Sequence, residues 1–424
     1  MMMLKQIAIL SAGIFLVGLS MSVTDGADWP GFRGLKANAV ATDGDYPTEW
    51  SSENNLKWKV ELGGDGNGSP IAIDKYVYVT SANKDGSDRT LHCFDRNTGD
   101  ELWKKVVHAD PDEETHQTNP YSGTTPAANA DCVVVWHGTP GIYCYDHAGN
   151  ELWHKEYSPV KHVWGYGSSP VIYKDKVYLH YGPGEDTFLL ALTLSTGDEV
   201  WKKIESGGAN DLSGKKVGSW STPVIVNAGG KEQLVCSMPS RVISVDPATG
   251  KEFWFVEGLP SERGDLVYTS TAVADEIGVA MGGYKGPALG FTLTGKGDAT
   301  ESNRIWYAPD RQPQRIGTGV IVDGYMYIAD AGPGIIQCVD IKNSGEEQWK
   351  TRGTDDYWGS TVMAGGNIYA TAKDGSTIVF TPDPDKFKKV AVNTFDEPSN
   401  ATPAFSNGQI FLRTNKSLCC VEAE

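Results

Sequence analysis

Positive charge is scarce in this chain of 424 residues: 37 Lys and Arg stand against 54 Asp and Glu, a formal net charge of −17. Nucleic-acid binders neutralise phosphates with Lys and Arg, so the deficit argues against that class. Familiar catalytic signatures are also missing. There is no C-x-x-C-H for covalent haem, no H-E-x-x-H for zinc, no P-loop and no G-x-S-x-G elbow. The eight histidines are scattered, and solvated loop positions are the default expectation for them. Beyond residue 23 no stretch is long and apolar enough to span a bilayer. The seven cysteines are an odd number, which leaves at least one unpaired even in an oxidising compartment.

What is abundant is glycine and tryptophan. There are 49 Gly, about 12% against a usual ~7%, and 13 Trp, in a chain that is 40% hydrophobic. That fraction supports a real core and excludes a disordered chain. Lys5 is the sole charge in the first 24 residues, and an apolar run from Ile7 to Val23 follows it. Small residues at Gly26 and Ala27 complete the pattern of a secretory signal over residues 1–27, the plainer alternative being a retained anchor. The expectation is an exported protein, periplasmic or extracellular, with no membrane span after cleavage.

The rest of the chain repeats. A short motif ending in a hydroxyl residue and usually Pro recurs as GNGSP, SGTTP, YGSSP, SWSTP and SNATP, with looser copies YTSTA, RIGTG and WGSTV. Aligned on the last residue, the preceding column reads Ser69, Thr125, Ser169, Thr222, Thr271, Thr318, Thr361 and Thr402. The mean spacing of about 48 residues suits four-stranded propeller blades. Each copy precedes short β-branched and aromatic runs, then a turn and a last strand carrying Trp, as in CFDRNTGDELW (93–103). Trp58, Trp103, Trp153, Trp201, Trp254, Trp306 and Trp349 fall on that last strand, where a large flat ring fills the wedge between blades.

The first Trp strand (56–60) has no blade before it, and the last motif has no Trp strand after it. The N-terminal strand is therefore expected to complete the C-terminal blade and close the ring. The reading is an all-β, eight-bladed propeller of four-stranded antiparallel blades over residues 50–424, after an extended leader at 28–49. Two blades depart from the pattern: residues 286–306 lack the Asp–Thr–Gly turn, and KFKKVAV (386–392) replaces a Trp strand.

The units at 93–103 and 191–201 resemble the tryptophan-docking repeat of quinoprotein-type propellers, a group that includes pyrroloquinoline quinone (PQQ) dehydrogenases and BamB-like outer-membrane assembly factors. DWPGFRG (28–34), LGFTLTGKGDAT (289–300) and the closing segment 402–421 are most similar to secreted PQQ-like repeat proteins of planctomycetes. For the dehydrogenases, the resemblance implies PQQ under a vicinal disulfide, with Ca²⁺ held by Glu, Asn and Asp. Cys419–Cys420 is a vicinal pair, but its register puts Cys420 on a third strand with Cys93, Cys144 and Cys338, not on a loop. Pairing of Cys419, Cys132 and Cys236 stays open.

The candidate surface is the channel mouth, where Asn67, Tyr121, Trp164, Tyr166, Trp220, Tyr268, Arg315, Trp358 and Asn400 lie just upstream of the motifs. Aromatics with convergent polar groups suit a polar ligand or peptide; the plainer reading is a plug that fastens loops. Arg315 and Trp358 are the first residues to vary. The expectation is a monomeric, cofactor-free binding or scaffolding propeller for an envelope protein or carbohydrate. The alternatives are a PQQ- and Ca²⁺-dependent alcohol or sugar dehydrogenase, or an accessory carbohydrate-binding propeller.

Overall fold

The structure is a computed structural model that describes residues 28–423 apart from 110–112, 185, 206–215, 263 and 310–313. The segment read as a signal, residues 1–27, lies outside the described residues. Eight antiparallel blades follow one another around an axis, each with four principal strands running from the channel outward, in chain order except where the N-terminal strand completes the last blade. Blade one, for example, is Ile71–Ile73, Tyr76–Ala82, Asp88–Asp95 and Glu101–His108. The ring closes as the repeat register implies. Leu56–Glu61 pairs antiparallel with Ser417–Glu422 and completes blade eight, so neither strand is left as an open edge.

A bulge sets each Trp. In seven blades the register shifts where the outermost strand's Trp faces a small residue of the third strand: Cys93, Cys144, Ala191, Ser244, Gly290, Cys338 and Cys420. This explains four of the cysteines. They are small apolar groups under an indole, and burial pushes the Cys93, Cys338 and Cys420 thiols up to about 12. All seven cysteines are buried and unpaired. Gly290 shows why the position must be small: a methyl there would lie 2.2 Å from Trp306 Nε1.

Each ring then docks on the turn of the next blade. Trp58 Nε1 donates to the Arg96 carbonyl at 2.9 Å and Trp153 Nε1 to that of Leu194 at 2.7 Å. The turn glycine lies flat under the ring; Gly99 has φ +76°, and a methyl there would meet Trp58 at 2.8 Å. Trp254 is the exception, because blade five lacks the turn. Its Nε1 donates to Gln233 Oε1 of its own blade instead, at 2.8 Å. The longer connection of blade five folds back as Gly297–Asp298, adding a parallel fifth strand to blade four.

The innermost strands begin at Ile71, Ala127, Val171, Val224, Ala272, Val320, Val362 and Ala404. Two residues before each start sits a hydroxyl that accepts the backbone N–H of its neighbour. Thr125 Oγ1 accepts from Ser69 N, Ser169 from Thr125, Thr222 from Ser169, Ser270 from Thr222 and Thr318 from Ser270. Ser360, Thr402 and Ser69 complete the circle, all at 2.8–3.1 Å. The motif alignment needs one correction here. In blades five and seven the circle uses Ser270 and Ser360, not Thr271 and Thr361. Thr stands in the Pro position of those copies, and its hydroxyl had shifted the alignment by one. Thr271 instead meets Ser237 Oγ, and Thr361 bonds Val320 N and the Tyr327 carbonyl. Ser169→Ala will remove the acceptor of the Thr125 N–H and lower stability by about 0.5–1.5 kcal/mol in chemical denaturation. Ser169→Thr, which keeps the acceptor, will lose little.

The leader enters the channel. Trp29 bridges to Ala72 of blade one, Val40–Ala41 adds in parallel to Met363–Ala364 of blade seven, and Arg33 NH2 reaches the Gly319 carbonyl at 2.6 Å. Farther on, the leader and the residue just after it supply what blade seven lacks. Ala391 occupies the Trp register opposite Val379. Trp50 stacks on Tyr369 with centroids 6.4 Å apart, its backbone N–H donates to Asn393 Oδ1 at 2.8 Å, and Tyr369 OH donates to the Pro47 carbonyl. Tyr46 lies edge-on to Phe405 at 5.2 Å.

Candidate functional site

The hydroxyl circle is the collar of a cavity of about 710 Å³ at the loop-bearing mouth of the channel. Phe32 of the leader lines this cavity and also a second one of about 680 Å³ on the other side, so the leader stands between the two. The loop preceding each innermost strand delivers at least one residue to the wall, and the wall has two halves.

Trp164, Trp220 and Tyr268 precede blades three, four and five and form an aromatic arc. Trp164 and Trp220 have centroids 6.2 Å apart, and Trp220 and Tyr268 5.5 Å. Trp220 is braced by its Nε1 bond to the Gly165 carbonyl at 2.9 Å and by His162 edge-on at 5.0 Å. Burial holds His162 neutral, with its pKa down at about 4, and pushes Tyr268 up to about 12. Trp358, preceding blade seven, extends the aromatic lining.

Blades eight, one and two supply an amide arc. Asn400 Nδ2 donates to Asn67 Oδ1 at 3.3 Å, and Asn67 Nδ2 to the Thr118 carbonyl at 2.9 Å. Asn119 Nδ2 bonds the carbonyls of Trp164 and Tyr166 at 2.8 and 2.9 Å. Asn400 Oδ1 is buried and has no donor among the described residues. His116, Thr118, Lys216, Tyr284, Gln314 and Ile316 also reach the lining. Lys216 belongs to a parallel pair, Lys216–Ser219 with Gly264–Val267, that the repeat pattern does not foretell.

Of the nine sequence candidates, Asn67, Trp164, Trp220, Tyr268, Trp358 and Asn400 come together in this lining. Tyr121, Tyr166 and Arg315 stand behind it. Tyr121 and Tyr166 flank the fully buried Arg89, whose NH2 pairs with buried Glu113 at 2.6 Å. Arg89 NH1 also donates to Tyr166 OH and to the His137 carbonyl. Desolvation raises the Glu113 carboxyl above its usual range despite that partner. Arg315 turns into the core toward Gln337 Oε1, and burial lowers it to about 10. Sequence reasoning missed Phe32, Lys216, Gln314 and Ile316 as wall residues. Gln314 and Ile316 flank Arg315, so the right loop was found with the wrong side chain.

Residues 30–111 and 87–351 match the family described as outer membrane protein assembly factor BamB. The sequence is 20% identical over 268 residues to quinohemoprotein alcohol dehydrogenase of Comamonas testosteroni, a match covering 50% of this chain and 36% of that enzyme. The matched region thus spans about a third of that relative. The crystal structure of that enzyme superposes with a TM-score of 0.68 at 14% identity, over 93% of this chain and 80% of the other. BamB from Moraxella catarrhalis superposes with a TM-score of 0.62 at 14% identity, over 87% and 99%. At such identity the structural likeness speaks for the fold.

PQQ with Ca²⁺ is the group this kinship suggests, and the described lining does not fit it. A quinone bearing several carboxylates would meet one ammonium, Lys216, in the described lining. Among the described residues no group of three or more His, Cys, Asp and Glu is placed to hold a metal. Cys419 and Cys420 are buried in the strand Ser417–Glu422, away from the lining. No helix among the described residues is long and apolar enough to cross a membrane.

Proposed function

This chain belongs to the family of outer membrane protein assembly factor BamB, and from that premise we propose that it is an exported, cofactor-free binding propeller of the cell envelope. The observation that carries this reading is the walled cavity of about 710 Å³, with aromatics on one side and amides on the other. Its size lies within the ~300–1,000 Å³ of ligand sites. The described lining has no carboxylate, its one histidine, His116, is engaged through Nδ1 with Thr118 Oγ1 at 2.8 Å, and Tyr268 with a pKa near 12 stays protonated. Those features favour recognition over bond-breaking. The loop face would meet the partner, and the leader would shut the channel behind it.

The test compares immobilised protein with its Trp358→Ala variant and with a control at the opposite mouth, Lys36→Ala, in capture from envelope extracts. A specific component retained by the wild type and the control, and lost at least tenfold by Trp358→Ala, is the expected result. Equal capture by all three would remove the loop face from consideration. Adding PQQ and Ca²⁺ to the same preparations is expected to give no bound chromophore; a chromophore with dye-linked alcohol or sugar oxidation would establish the dehydrogenase reading instead.

A further inference from the structure

We propose that the ligand of this cavity is a saccharide, an inference that rests on the cavity being the binding site. The collar and the amide arc carry unspent hydrogen-bonding capacity. Each hydroxyl of the collar accepts a backbone N–H and keeps its own O–H, which donates to none of the described residues. These are spare donors. Asn400 Oδ1 is the opposite, a buried acceptor without a donor. A ligand that satisfies both must offer donors and acceptors side by side. A sugar hydroxyl does both with one atom, whereas an anion only accepts and an apolar molecule does neither.

The aromatic arc supplies the second requirement. A pyranose ring has a C–H face that sheds water onto a flat π surface, while its hydroxyl rim points sideways to polar groups. Trp220 and Tyr268 stand opposite the amide side in the ring of blades, so the two surfaces can be engaged together. Charge agrees as well. In a chain of net charge −17 the described lining contains no carboxylate and one ammonium, Lys216, which makes no ion pair among the described residues. That ammonium gives an acidic sugar an advantage over its neutral counterpart.

The experiment uses the whole protein and an array of neutral and uronic-acid oligosaccharides, followed by titration of the best probe with tryptophan fluorescence as the readout. Saturable binding is expected, weakened at least tenfold by Trp358→Ala and by Asn400→Leu. Lys216→Met should weaken acidic probes several-fold and leave neutral ones unchanged. Melting curves identify any variant that has lost its fold, and Trp358→Phe, which keeps a ring, should retain most of the affinity. If no oligosaccharide binds while Trp358→Ala still abolishes envelope capture, the ligand class is wrong and the site stands. If oligosaccharides bind equally to all variants, the proposed site is overturned.

Discussion

Trp50→Ala will destabilise the protein by about 3–5 kcal/mol, the loss typical of a large aromatic removed from a packed core. Trp50 is 5% exposed and belongs to the same buried cluster as Tyr369, Phe405 and Phe411. It occupies the wedge that a blade-seven Trp would fill, and Ala391 cannot fill it. Truncation would open the ring at the seam where blade seven meets blade eight, beside the strand pairing that closes the circle. Denaturant midpoints of the wild type and variant measure the effect, with Trp50→Phe recovering about half. Trp103→Ala is a useful comparison: that ring is only half-buried, and its loss should be smaller. A change below about 1 kcal/mol for Trp50→Ala would mean that this segment does not belong to the folded core.

Acid will weaken the fold well before carboxylates titrate. His137 and His180 are buried and held neutral, with pKa values brought down by desolvation to about 3 and about 4. His180 Nδ1 is used on the Ser221 carbonyl at 3.0 Å, and Nε2 of both rings has no partner. In the unfolded chain both rings take up protons near pH 6.5, while the folded state resists until about 4 and 3. Their contribution is complete above about pH 6.5 and is lost as pH falls toward those values. The slope is about 1.4 kcal/mol per pH unit for each histidine. Stability measured between pH 6.5 and 4.5 should therefore fall steeply, and less steeply in His180→Gln. An unchanged slope in that variant would show that the imidazole is not the titrating group.

The repeat made most of the fold legible because its parts are local. A turn, a glycine and an indole recur within a unit of eleven residues such as 93–103, and periodicity exposes them. Where the parts are not local, reading failed or stopped short. Thr271 and Thr361 were misaligned because Thr replaced Pro, and the strand start that decides the register is invisible without pairing partners. The leader has no period at all, and its partners lie far along the chain: Arg33 meets Gly319 across 286 residues and Trp50 meets Asn393 across 343. Tyr166 and Arg315 lay on the right loops, yet whether a loop side chain faces the channel or the core depends on its neighbours in other blades. The Arg89–Glu113 pair that claims Tyr166 carries no motif.

The position of the leader also orders events in time. Residues 28–50 are made before any blade, yet Arg33 needs blade six, Trp50 needs blade seven and Tyr46 needs blade eight. Arg96 of blade one likewise waits for Ser406 and Gln409 of blade eight. Loop-closure entropy must be overcome before such distant contacts form, which makes assembly slow. A segment synthesised before every blade is thus among the last to be buried, and it can settle only once blade eight is free to receive it.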